Sequence, residues 1–144
     1  MKHKGSIMEY SEERISDLMR AYDEYITSCA YIRMPDVYNH IVDMPSRRFW
    51  VSDVRAALVV SAIMRGEARL DEMWPLKKEM YLEIYRRVIE LAKRNPHKST
   101  SELCSIVVSQ PAPKFYLTPG SAKMMVCKVR KKWKKEKLKR LLHS

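Results

Sequence analysis

Lys128, Lys131 and Lys135 follow one another at intervals of three and four residues, the spacing that brings side chains onto one face of an α-helix. At a rise of about 1.5 Å per residue their ammonium groups would line up over roughly 10 Å, a geometry suited to a polyanion whose charges recur along a line. Lys123, Arg130, Lys132 and Lys134 surround them. From Lys123 onward there are ten Lys or Arg and one acid, Glu136, whereas the first 122 residues hold 18 basic and 16 acidic groups. The overall charge of +11 is therefore largely a local feature. Local basicity points to a polyanionic partner rather than to general solubility. Just upstream, the hydroxyls of Thr118 and Ser121 can hydrogen-bond phosphate beside the free amides of a helix start, and Lys114 adds a charge in the preceding segment. These ten residues form the candidate nucleic-acid-binding set, with duplex DNA as the favoured partner.

Other chemistry finds little support. Cys29, Cys104 and Cys127 are far apart and belong to no C-x-x-C pair, and His3, His40, His97 and His143 show no ligand spacing. Neither a metal nor another cofactor is expected, and reduced thiols suit a cytoplasmic protein. The sequence lacks a Gly-rich phosphate loop, G-x-S-x-G and H-E-x-x-H. Asp36, Asp43, Asp53 and Asp71 stand where capping and turn roles suffice, and none of the eight tyrosines has the Arg and His companions of a nucleophile. The expectation is a non-enzyme. The basic start, Met1-Lys2-His3-Lys4-Gly5-Ser6, is followed by no apolar core, and no run approaches eighteen apolar residues, so neither a secretory signal nor a membrane partner is expected.

Positioning the basic groups falls to helices. Three glycines and two phenylalanines against ten methionines and many leucines and lysines favour an all-α fold. Ser11, with Glu12 and Glu13 behind it, is expected to cap a first helix whose apolar positions run from Ile15 to about Cys29. Pro35 opens a short second helix, and Ser52 caps a third that stops at Gly66. Pro75 begins a fourth, ended by Asn95-Pro96. Ser99 and Glu102 have capping-box spacing for a fifth, and Thr118-Pro119 opens the long basic helix.

An internal repeat organises these elements. Residues 45–65, PSRRFWVSDVRAALVVSAIMR, align with residues 111–131, PAPKFYLTPGSAKMMVCKVRK, at an offset of 66. Pro45, Phe49, Ala56 and Val60 recur as Pro111, Phe115, Ala122 and Val126, and the register extends upstream, where Val37, Ile41 and Val42 fall on Leu103, Val107 and Val108. The expected architecture is two tandem three-helix, helix-turn-helix-like units packed together, residues 1–66 as a structural platform and residues 67–144 carrying the basic helix. Phe49, Trp50, Phe115 and Tyr116 read as core plugs.

The two third helices differ on their outer faces. In the second, Ala122, Met125, Val126, Val129 and Trp133 share an inward stripe, opposite Met124, Lys128, Lys131 and Lys135. In the first, Val54, Leu58, Ser61 and Ala62 stand where the lysine face would be. That surface is expected to be covered, with Leu58 and Ala62 buried against the second unit, while the basic helix reads DNA by its N-terminal turns. The connection from Gln110 to Thr118 is longer than the usual helix-turn-helix turn. Leu138, Leu141 and Leu142 leave the inward stripe and would meet a partner such as a second copy. The functional expectation is a helix-turn-helix DNA-binding protein, a transcriptional regulator or an architectural factor. The alternative is a helical adaptor that binds proteins, the basic tail serving as an electrostatic tether. Attachment of the last helix to anionic lipid is a weaker third reading, since few long apolar side chains line one continuous face there.

Overall fold

The computed structural model describes the backbone of residues 4–143 and the side chains of residues 10–143. The chain is all-α. Among the described residues six α-helices follow one another: α1 (Lys4–Ser28), α2 (Met34–Val42), α3 (Asp53–Met64), α4 (Pro75–Arg94), α5 (Thr100–Val108) and α6 (Pro119–Leu142), with a single 3₁₀ turn at Leu70–Glu72.

Their ends follow local chemistry. Ser52 accepts a hydrogen bond from the Arg55 amide, and Thr118 accepts one from the Ser121 amide, so each hydroxyl satisfies a helix N–H that has no intrahelical partner. Ser99 and Glu102 close a reciprocal capping box on α5. Pro35, Pro75 and Pro119 lie in the first turns of α2, α4 and α6, where the missing N–H costs nothing. Gly66, at φ +73°, ends α3 in the left-handed region that a side chain disfavours. One start differs from expectation. Among the described residues helix α1 already runs from Lys4, so Ser11 lies inside it; the one glycine, Gly5, stands in the first described turn, and Ser6-Ile7-Met8-Glu9-Tyr10 contains no proline or glycine to interrupt the helix.

The helices divide into two cores, and the division cuts across the sequence. One core unites Leu18, Met19, Ala21 and Tyr22 of α1, Val37, Tyr38, Ile41 and Val42 of α2, and Ala122 and Val126 of α6. The other unites Ala56, Val59 and Val60 of α3 with Met80, Tyr81, Ile84 and Val88 of α4 and Leu103, Cys104, Val107 and Val108 of α5. Each third helix thus completes the core of the other half. The boundary expected at residue 66 separates the halves of the sequence but not the cores.

The exchange is made by residues 43–52 and 109–118, which cross. Ser46 and Ala112 pair as an isolated antiparallel bridge, each amide donating to the other's carbonyl at 3.1 and 3.0 Å. The Phe49 amide donates to the Val108 carbonyl and the Phe115 amide to the Val42 carbonyl, both at 3.0 Å. Exchanging positions 66 residues apart swaps Ser46 with Ala112 and turns the Phe49–Val108 bond into the Phe115–Val42 bond. These extended, proline-bearing connectors do not turn the third helix back onto the second as a tight turn does; they deliver it across the molecule instead. Phe49 and Phe115 are carried with them, each buried in the core that its own helices one and two do not build.

Asp17 locks the crossing. Its fully buried carboxylate accepts two hydrogen bonds from Arg20, at 2.9 and 2.7 Å, one from the Arg47 amide at 2.8 Å and one from Trp50 Nε1 at 3.1 Å. Arg20 also donates to the Pro45 carbonyl at 3.0 Å. The corresponding position in the other half is Glu83, which accepts from Arg86 and Arg87, while Arg87 donates to the Pro111 carbonyl at 2.9 Å. The hydrogen bonds from Arg86 hold the Glu83 carboxyl below its ordinary range against the opposing effect of burial, with Arg87 adding to them. In both halves, then, an acid on the first helix fixes an arginine onto the carbonyl of the connector proline.

Candidate nucleic-acid interface

Helix α6 is held by its first three turns. Ala122 and Val126 are fully buried, Met125 and Val129 are half-buried against α1 and α2, and Arg130 donates to the Tyr22 hydroxyl at 3.2 Å with its guanidinium 5.9 Å from the ring centroid. From Lys131 onward every described residue of the helix is exposed. Trp133, expected on the inward stripe, is 53% exposed. The stripe continues in the sequence, but α6 has by then passed beyond the buried residues of α1 and α2. Twelve residues, 131–142, amount to about 18 Å of helix. Leu138 and Leu142 are exposed along this stretch, which stays helical on propensity, Lys, Leu, Glu and Arg being strong helix formers.

The candidate side chains fall into two groups. Lys123, Lys128, Lys131, Lys132, Lys134 and Lys135 are exposed, as is Arg130 despite its hydrogen bond to Tyr22. Lysines at 128, 131 and 135 share one side, and those at 132 and 134 flank it, so cations spread around much of the helix. The upstream residues are engaged inside the protein. Lys114 makes an ion pair with Glu79 at 2.6 Å and lies 5.8 Å from the centroid of the Tyr116 ring. Thr118 caps the helix and donates its hydroxyl to Ser121 Oγ at 3.0 Å. Thr118 is exposed and Ser121 half-buried, so their hydroxyls line the start of α6 as a bonded pair.

The element preceding α6 does not lie beside it. Helix α5 packs on α3 and α4, and the helices against α6 are α1 and α2. The platform expected beneath a reading helix thus comes from the first half of the chain. On α3, the matching surface is not covered as expected: Leu58 is 60% exposed, Val54 63%, and Ala62 half-buried. Helix α3 does pack onto the second half, but through Ala56, Val59 and Val60, which leaves its opposite face outward.

Asp17 was not legible as a functional or structural centre, because its partners Arg47 and Trp50 are some thirty residues away and converge only through the crossing. Tyr116 was legible only as an aromatic plug. It is half-buried, stacks on Phe49 with ring centroids 6.1 Å apart, and is the one non-glycine residue at positive φ among the described residues, at 56°. Such a backbone costs about 1–2 kcal/mol and persists because the stacked ring and the crossed connector hold it.

Among the described residues no group of three or more His, Cys, Asp or Glu is placed to hold a metal ion, and no helix is long and apolar enough to cross a membrane. Comparison with known protein families, curated proteins and solved structures finds no match to the chain.

Proposed function

We propose that this protein binds nucleic acid, duplex DNA in preference, through α6, and acts as a regulator or architectural factor rather than as an enzyme. The observation that carries the reading is the helix itself: seven basic residues between Lys123 and Lys135 are exposed on an element whose first turns are anchored in a core. An anchored helix presents its charges with its orientation already fixed, so binding need not order the whole segment. The arrangement is helix-turn-helix-like in a non-contiguous sense, with α2 and α1 supporting α6 where α5 would serve in a contiguous motif. Lysines on the exposed face would neutralise phosphates and release counterions, and the Thr118–Ser121 hydroxyl pair would approach the duplex at the helix start. A duplication at the 66-residue interval would explain the shared inner face of the two third helices, and later divergence why one is basic outside and the other apolar.

The test is a titration of duplex DNA, single-stranded DNA and RNA at two salt concentrations. If Lys128, Lys131 and Lys135 each neutralise one phosphate of a duplex, raising salt from about 50 to 200 mM weakens binding by roughly 40-fold from these contacts alone. Affinity that does not change with salt overturns the reading. A protein-binding adaptor is then favoured by one specific observation, the exposed apolar face of α3 at Val54 and Leu58.

A further inference from the structure

Helix α3 and its C-cap residue carry a stripe of four residues, the exposed Val54, Leu58 and Arg65 and the half-buried Ser61, at intervals of four, three and four. That is the interval pattern of a coiled-coil seam, in which apolar knobs of one helix enter holes on another. Val54 and Leu58 are 63% and 60% exposed. Beside them Asp53, Ala57, Ser61 and Ser101 complete a shallow groove of about 250 Å³ between α3 and the start of α5. Small side chains at Ala57 and Ser61 let a second helix approach closely, and the groove is of a size to receive a leucine.

We infer that this face is a self-association surface, on which α3 of a second copy packs antiparallel about a two-fold axis with Leu58 of each copy seated in the groove of the other. Charge selects this occupant. The excess of positive charge is gathered after Lys123, away from α3, whereas the sequence between Arg55 and Arg65 is uncharged and the acidic start of this face at Asp53 complements its basic end at Arg65. In the antiparallel register centred between Leu58 and Ser61, residue 54 of one helix meets residue 65 of the other. The Arg65 side chain then reaches Asp53 at the opposite helix start on both sides of the axis. Among the described residues Arg65 pairs with the exposed Glu67, at 2.7 Å, a bond of little strength that can be exchanged. A parallel pairing would set Asp53 against Asp53 and Arg65 against Arg65. The two-fold contact is isologous and therefore closes at a dimer. One helix pair buries less than a standard interface, so the dimer is a weak one.

Sedimentation equilibrium of the full chain without nucleic acid, up to about 1 mM, reads this directly and independently of any DNA binding. The expected result is a monomer–dimer equilibrium that Leu58→Glu weakens at least tenfold, with unchanged helical circular dichroism because Leu58 is on the surface. Val54→Lys should weaken it likewise, reading the same face should the first variant fold poorly. Arg65→Glu should weaken the dimer and the pair Asp53→Arg with Arg65→Glu should restore it, which nonspecific apolar contact would not do. A chain that stays monomeric throughout overturns the inference. So does a dimer that survives both Leu58→Glu and Val54→Lys but is lost on Leu138→Glu with Leu142→Glu, since the contact would then lie at the end of α6.

Discussion

Asp17 is the residue on which the crossed arrangement depends most directly. Truncation to alanine would leave the Arg47 amide and the Trp50 indole without their acceptor and Arg20 without its partner. Urea denaturation of Asp17→Ala should show a loss of about 3 kcal/mol, whereas Asp17→Asn, which keeps one oxygen acceptor, should lose less. Equal losses would mean that the negative charge, which both variants lack, matters more than the volume and the single oxygen acceptor that asparagine keeps. Alkaline pH acts on other buried groups. Burial pushes the Cys104 thiol up to about 11, with Asp53 adding to it, and pushes the Tyr38 and Tyr116 hydroxyls up to about 12. In each case the folded value exceeds the ordinary one, so the unfolded chain loses its proton first. The stability these groups contribute is complete below their ordinary values and is lost as pH rises through 11 to 12. Melting temperature should therefore fall steeply across that range, and less steeply in Tyr116→Phe. A profile unaffected by that substitution would remove Tyr116 from the explanation.

At the scale of the element, α3 and α6 share an inner face and differ on the outer one. Replacing Lys128, Lys131 and Lys135 with glutamate should abolish duplex binding while leaving helicity nearly unchanged, since exposed substitutions seldom alter stability by more than about 0.5 kcal/mol each. Retention of the parent affinity at moderate salt would exclude this helix as the contact surface. Ser121→Ala should change sequence preference more than salt dependence, if its hydroxyl lies near base edges. Because Leu58 is mostly exposed, Leu58→Ala should cost under about 0.5 kcal/mol in dilute solution, far less than a buried leucine. The helix starts at Ser52, Ser99 and Thr118 were legible beforehand, because capping is a contest among neighbours in sequence. The exposure of Trp133 was not, since periodicity names a face without saying how far a partner extends along it.

At the scale of the molecule, each core needs a helix from the other half. Residues 1–66 and residues 67–144, expressed apart, should each lack cooperative melting, and mixing them should restore it. The reason is that α3 leaves Ala56 and Val60 bare without α4 and α5, just as α6 leaves Ala122 and Val126 bare without α1 and α2. A separate half that folds cooperatively would show that its third helix can return to its own first two.

Composition, helix starts and the paired positions at an offset of 66 were available from the chain alone, because propensity, capping and apolar periodicity depend on residues within a few turns of one another. So was the concentration of basic residues after Lys123. Which core each third helix joins was not. Ala56 and Ala122, or Val60 and Val126, are interchangeable as inward stripes, and nothing in either stripe distinguishes the helices of its own half from those of the other. The tertiary structure decided it through the connectors, where Ser46 pairs with Ala112 and Asp17 gathers Arg20, Arg47 and Trp50. That crossing also determined what stayed uncovered, the lysines of α6 and the apolar outer face of α3, because a side chain is buried only where a neighbouring element reaches it.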